Sequence, residues 1–372
     1  MKQKLLYSIF FSMLVITAVV INTSSVEAAA EPCHKVEGKI IMGNTVDGTP
    51  VSISGAGDEN HTSSGCEDEP MFYKMTGYKI LLCTRDPYVA GGVSPNLNLC
   101  EAELVSGEKE IIIERGEEVD MLGGEDLLLP INSYKFGVMI ASNHIGIKHM
   151  FHAAGINNAN VLVSGYNNSA TDYSDGFICY SKKDRATTYS GTPSATWTSS
   201  DGVARSAITE NHQDPRTINN ICIDSKANEA AFLADPPADW GYAYEIIDSI
   251  GSCESNCGAV FESYENYYDL GTDLGLPIDG DAAFMILQDD NTVATNRTNG
   301  KKIGYFMRFD NPINITEQTT GLKVLISTSA SVAIEFAFDD ENTDHVQSVK
   351  VGANPFGVNF QTKTRRSRGA WR

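Results

Sequence analysis

Along much of the chain, apolar and polar positions alternate with a period of two. Ile303, Tyr305, Met307 and Phe309 fall on one face of a predicted strand, and Leu322, Val324 and Ile326 on one face of the next. Val332, Ile334, Phe336 and Phe338 repeat the pattern, with Glu335 opposite, and so do Phe356, Val358 and Phe360. Alternation of this kind buries one side of a sheet and wets the other, as antiparallel sandwiches do. Gly, Asn, Asp and Pro lie between the runs, where turns need them. Residues 282–361 are therefore predicted to be β.

The first half reads similarly, with strands expected over residues 35–41, 50–53, 71–84, 109–114, 126–129, 134–142 and 160–164. Tyr134, Phe136, Val138 and Ile140 alternate, whereas Ile111, Ile112 and Ile113 form a continuous run that suits a strand covered on both sides. Between residues 165 and 276 the periodicity weakens into Gly, Ser, Thr, Asn, Asp and Tyr. Only 226–234 and 242–250 suggest helices, both short. A loop-rich stretch this long needs cross-links to be ordered, and four cysteines fall within it. The predicted fold is mainly β: an antiparallel β-sandwich with a long disulfide-bonded, loop-rich insertion and short helices. Its parts are an N-terminal sandwich portion (31–164), an insertion or small module (165–276), C-terminal strands (277–362) and a basic, disordered tail (363–372).

The start of the chain adds a compartment. Lys2 and Lys4 precede an apolar run over 5–21, a polar stretch follows, and Ala28, Ala29 and Ala30 close it. These are the three parts of a secretory signal peptide, with cleavage expected after Ala30. The competing reading is a retained anchor, because the run approaches the length of a membrane span. Glu31 and Pro32 before Cys33 argue against a lipid-modified cysteine. No later segment is long and apolar enough to span a bilayer, so no transmembrane segment is expected in the mature chain.

All eight cysteines lie beyond that cut: Cys33, Cys66, Cys83, Cys100, Cys179, Cys222, Cys253 and Cys257. An even count in an exported chain implies disulfides. Nearest-neighbour pairing gives Cys33–Cys66, Cys83–Cys100, Cys179–Cys222 and Cys253–Cys257. Zinc is disfavoured, since no second close Cys or His pair joins Cys253 and Cys257.

The formal charge of −20 understates the acidity of the body. The leader holds two Lys and one Glu, and residues 363–372 hold five basic residues and no acid. Residues 31–362 thus carry 21 basic and 47 acidic side chains, a net of −26. Such a surface repels phosphates, which excludes nucleic acid as a partner of the body and favours solubility and cation association.

A strand closing in Leu82, Cys83 and Thr84, a variable loop ending in Cys100, an acidic strand, and the Leu-Pro-x-x-x-Tyr turn from Leu129 and Pro130 to Tyr134 form a recognisable series. It resembles uncharacterised secreted proteins of marine bacteria, and is similar to bacterial domains with a transthyretin-like or immunoglobulin-like sandwich. The resemblance covers about residues 70–150 and implies a β-sandwich at the cell surface. It carries no catalytic residues.

Candidate chemistry is sparse. Asp269, Asp273, Asp279 and Asp281, among Gly271, Gly275 and Gly280, supply the oxygen ligands that calcium prefers, without the EF-hand spacing; such Asp-Gly pairs also form simple turns. His144, His149 and His152 form the one histidine cluster, on a predicted strand whose positions three apart face opposite ways. Trp197, Trp240 and the aromatic run 261–268 suit a sugar or protein surface, or else cover the core. No G-x-S-x-G, H-E-x-x-H, phosphate loop or dinucleotide fingerprint is present. The composition and pattern point to an exported, non-enzymatic sandwich that binds or assembles at or outside the cell surface, with a protein or glycan partner. The alternatives are a secreted hydrolase with its site in the middle region, and a subunit of a surface filament.

Overall fold

Alternation along the chain becomes strand pairing in the computed structural model. It describes residues 32–33, 35–36, 38–42, 63–90, 92–122, 129–155, 162–164, 170–172, 177–183, 185–188, 197–198, 204–205, 220–224, 229–248, 267–269, 280–296, 298–339, 342–354 and 356–364. The first strands are β1 (Lys35–Val36), β2 (Lys39–Met42), β3 (Ser63–Asp68), β4 (Phe72–Cys83), β5 (Cys100–Glu114) and β6 (Val119–Asp120). Then come β7 (Asn132–Ser142), β8 (His144–Lys148), β9 (Met150–Gly155), β10 (Leu162–Ser164), β11 (Ala170–Asp172) and β12 (Phe177–Ser181). The middle region adds β13 (Ala186–Thr188), β14 (Trp197–Thr198), β15 (Ala204–Arg205), β16 (Asn220–Asp224), the helix α1 (Glu229–Ala234), β17 (Ala243–Ile246) and β18 (Tyr268–Asp269). The last strands are β19 (Gly280–Leu287), β20 (Lys302–Ile315), β21 (Thr319–Ser327), β22 (Val332–Asp339), β23 (Asn342–Ala353) and β24 (Gly357–Thr364).

The fold is mainly antiparallel β, in layers. A large sheet runs β13-β17-β8-β4-β7-β20-β19-β18, with β5 along the other edge of β4. Smaller sheets run β1-β2-β9-β12-β16, β24-β21-β6 and β23-β22-β3. One core joins the inner face of the large sheet (Tyr73, Met75, Ile113, Met139, Tyr305) to Val324 and Val358, to Ile334 and Val351, and to Ile40 and Phe151 of the smaller sheets. Burial of these side chains contributes about 1.5–3 kcal/mol each. A second core (Leu81, Val138, Ile140, Met285, Phe306) lies on the opposite face of the large sheet, where Tyr88 of the loop between Cys83 and Cys100 packs over Phe306. Phe306, on the face of β20 opposite Tyr305, is therefore buried as well.

The chain ends are interleaved. β3 pairs with β22, so that Cys66 lies opposite Ile334, and Asn354 Nδ2 donates to Glu67 Oε1 across 287 positions of sequence. β9 and β12 pair, which lays a strand of the middle region against one from the first half.

Three of the expected disulfides are present: Cys33–Cys66, Cys83–Cys100 and Cys179–Cys222. Cys253 and Cys257 lie outside the described residues, as do the expected strand at 50–53 and the tail beyond Thr364. Disulfides of this kind form in oxidising compartments. Among the described residues no helix is long and apolar enough to cross a membrane.

Two expectations are corrected. The helix expected over 242–250 is not formed at residues 242–248: Ala243–Ile246 is the buried strand β17, because pairing with β8 on one side and β13 on the other overrides local propensity. The triple isoleucine is not covered on both sides either. Ile111 and Ile113 enter the core, while Ile112 is 43% exposed on the outer face of β5.

Candidate binding face and the ion network behind it

Strand register assembles a row of side chains on the outer face of the large sheet. Ile112 lies opposite Lys74, Lys74 opposite Gly146, and Gly146 opposite Tyr244. The adjacent row is Glu114, Phe72 and Lys148, and the row beyond Lys74 brings Glu110 opposite Thr76. Period two puts these side chains on one face because each strand contributes alternate residues. Gly146 leaves room there: a Cβ at this position would lie 3.0 Å from the Tyr244 ring and 3.4 Å from Tyr242.

Cations and rings interlock across the face. Lys148 Nζ lies 4.0 Å from the Trp240 ring centroid and 5.0 Å from that of Phe72. Lys74 Nζ lies 5.6 Å from the Tyr242 centroid and 2.6 Å from Glu110 Oε2. A cation over an aromatic face is attracted by the ring quadrupole, and more strongly once partly desolvated. Burial lowers the Lys148 ammonium from its usual value. Burial also pushes the Tyr242 hydroxyl up to about 12, with Tyr244 and the carboxylates Glu110 and Glu114 adding to it. Trp240 is anchored from behind: its ring meets Phe232 of α1 at 5.3 Å, and its Nε1 donates to the His149 carbonyl at 3.3 Å.

Behind the face lies an ion network, built on the buried Asp68 and His149, that the sequence did not disclose. Asp68 accepts from Lys35 Nζ at 2.6 and 2.7 Å and from the Glu69 amide at 2.9 Å. His149 Nε2 approaches Asp68 Oδ2, and Arg115 donates to the Glu69 carbonyl while its Nη2 lies 3.4 Å from His149 Nδ1. A guanidinium only donates, so Nδ1 is the acceptor and the ring proton sits on Nε2, facing Asp68. Burial lowers the His149 value. For Asp68, burial pushes upward, but the hydrogen bond and charge of His149 and the Lys35 ammonium outweigh it and hold the carboxyl well below the usual range.

Ser181, His149 and Asp68 have the residue types of a nucleophilic triad, yet the geometry is different. The Ser181 hydroxyl donates to the Gly241 carbonyl at 2.7 Å and accepts from the His149 backbone amide at 2.9 Å. Both imidazole nitrogens face other partners, so no base contacts the hydroxyl. These bonds pin the turn between β8 and β9, and with it Lys148 and Trp240.

The other candidates are dispersed. Asp281 is held by Arg308, which also stacks 4.8 Å from the Tyr267 ring centroid. Asp269 lies opposite Asp281 in the β18–β19 ladder, and Asp273 and Asp279 fall outside the described residues. Among the described residues, no three His, Cys, Asp or Glu side chains are grouped as a metal-binding set. His144 and His152 sit on β8 and β9, in different sheets, each brought down to about 4 by burial and a nearby lysine. Tyr267 donates to Asp86 at 2.7 Å and packs edge-on to Tyr88. Trp197 lies in β14 opposite Arg205. In the loop after β19, Lys302 Nζ donates to the Asp289 carbonyl and to Asn291 Oδ1, so an internal ammonium organises those oxygens. Among the predicted aromatics whose side chains are described, Trp240 reaches the outer face. Comparison with protein-family models, with curated proteins and with solved structures finds no match.

Proposed function

We propose that this chain is an exported, non-enzymatic β-sandwich that works by binding or assembly at or outside the cell surface, through the outer face of β5, β4, β8 and β17. The observation that carries this reading is the exposed Ile112, flanked by Glu110 and Glu114 and continuous with the Lys74, Lys148, Phe72, Trp240 and Tyr242 ladder. Aromatic rings with polar edges, set beside fixed charges, give contact area at low cost in side-chain entropy, which suits a protein or glycan partner. Lys74 and Lys148 brace the Tyr242, Phe72 and Trp240 rings, and Phe232 and the His149 carbonyl hold Trp240 from behind. The signal-like leader and the disulfides support an extracellular place of work.

Retention of the purified, oxidised chain on intact cells that export it tests the reading. Ile112→Asp combined with Tyr242→Ala is expected to lower the retained fraction by about tenfold or more, the size of effect a central contact carries. Unchanged retention, with the disulfides and far-ultraviolet spectrum intact, would refute it.

A further inference from the structure

We propose that the occupant of this face is the basic tail, residues 365–372, of a second copy of the chain. The inference rests on the binding reading above and names its partner.

The chemistry of the two parts is complementary. The tail carries Arg365, Arg366, Arg368 and Arg372, no acidic residue, and one large apolar side chain, Trp371. Alongside Lys74 and Lys148, the face presents Glu114 and the Lys74-paired Glu110 on either side of the exposed Ile112, with the Tyr242 ring nearby. Guanidinium groups pair with carboxylates through two parallel hydrogen bonds and also stack on aromatic rings. An indole covers an isolated aliphatic side chain such as Ile112. The body of net charge −26 attracts the tail at long range, and its own acidity keeps copies apart until the tail intervenes.

Geometry selects a second copy over the chain's own tail. β24 ends at Thr364, opposite Thr319 of β21, which follows Ile315, itself opposite Asn132 of β7. β7 then runs to Phe136, opposite Cys83 at the far end of β4, whereas Ile112 lies opposite Lys74 near the beginning of β4. From Lys74 to Cys83 the strand spans about 30 Å, and from Phe136 to Asn132 about 13 Å more. Residues 365–372, fully extended, reach about 26–29 Å. The tail thus departs from the opposite end of the sheet, and a neighbouring molecule's face is the accessible one. Such a contact is heterologous, joining tail to face, and generates rings if the rotation closes and filaments if it does not.

Sedimentation velocity of the full oxidised chain over a concentration series, at about 50 mM and about 500 mM salt, provides the test. Concentration-dependent assembly is expected at low salt and its loss at high salt. The tail variant Arg365→Glu/Arg366→Glu/Arg368→Glu and the face variant Glu110→Lys/Glu114→Lys are each expected to weaken assembly at least tenfold. Mixing the two restores it, because each then offers what the other lacks. A chain that stays monomeric at low salt, or assembly that the tail variant leaves intact, overturns the inference. In either case, retention on cells that still depends on Ile112 and Tyr242 would leave the binding reading standing.

Discussion

His149 Nε2 lies 3.3 Å from Asp68 Oδ2, inside the protein and directly behind the Lys148 and Trp240 ladder. Both groups sit below their ordinary values in the folded chain. As pH falls, the unfolded chain therefore takes up protons first. The His149 contribution is complete above about pH 6.5 and lost below it, and the Asp68 contribution is complete above about pH 4 and lost as the carboxyl protonates. Asp68→Asn is expected to cost about 3 kcal/mol at neutral pH, since it leaves Lys35 and His149 without their anion. Urea denaturation should show that gap closing toward acid pH.

Glu67 works in the opposite direction. Burial raises its carboxyl to about 7, and its Oε1 accepts from Asn354. The folded chain then holds a proton that the unfolded chain releases between about pH 4.5 and 7, so the wild type is penalised above pH 7 and not below pH 4.5. Glu67→Gln keeps the acceptor and removes the charge. The variant should be more stable than wild type by about 2 kcal/mol at pH 8 and nearly equal at pH 4.5, as read by thermal unfolding at the two pH values.

The Tyr305 hydroxyl has no hydrogen-bond partner among the described residues, although the ring is buried between Phe284 and Phe356. Removing an unsatisfied buried group relieves its desolvation cost. Tyr305→Phe should therefore raise stability by about 1 kcal/mol in denaturant titration, with the cores otherwise unchanged.

Gly280 opens β19 with φ of 134°, and a Cβ there would collide with the Arg308 carbonyl of the adjacent strand. Gly280→Ala should destabilise by more than about 2 kcal/mol, since backbone rather than a movable side chain must yield. Thermal unfolding reads this directly.

The disulfides rank by loop length. Cys179–Cys222 closes 43 positions and Cys83–Cys100 closes 17. In the chain-entropy account, replacing the first pair by serine costs about 1 kcal/mol more than replacing the second. Equal losses in guanidinium titrations would contradict that ranking.

What the sequence disclosed follows from locality. Leu322, Val324 and Ile326 announced a strand with one dry face, and each is buried in the principal core. Three nearest-neighbour cystine pairs were legible because each joins cysteines that follow one another in the chain. The outward turn of Ile112 was hidden, since a run of three isoleucines has no period and only pairing with β4 decides which of them face the core. The network of Lys35, Asp68, Arg115 and His149 was hidden for a different reason. Its members come from four separate stretches of chain, and nothing local marks a charge that will be buried. The one available hint was Lys148 and His149 standing between two apolar runs, a polar interruption that a loop alone does not explain.

The pairing of β3 with β22 sets an order on folding. Cys66 and Ile334 become neighbours only once strands separated by most of the chain have met, whereas Cys83 and Cys100 face each other within one local ladder. Pairing across so long a span is intrinsically slow, so the sheet that frames the Cys33–Cys66 bridge closes after the β4–β5 ladder has formed.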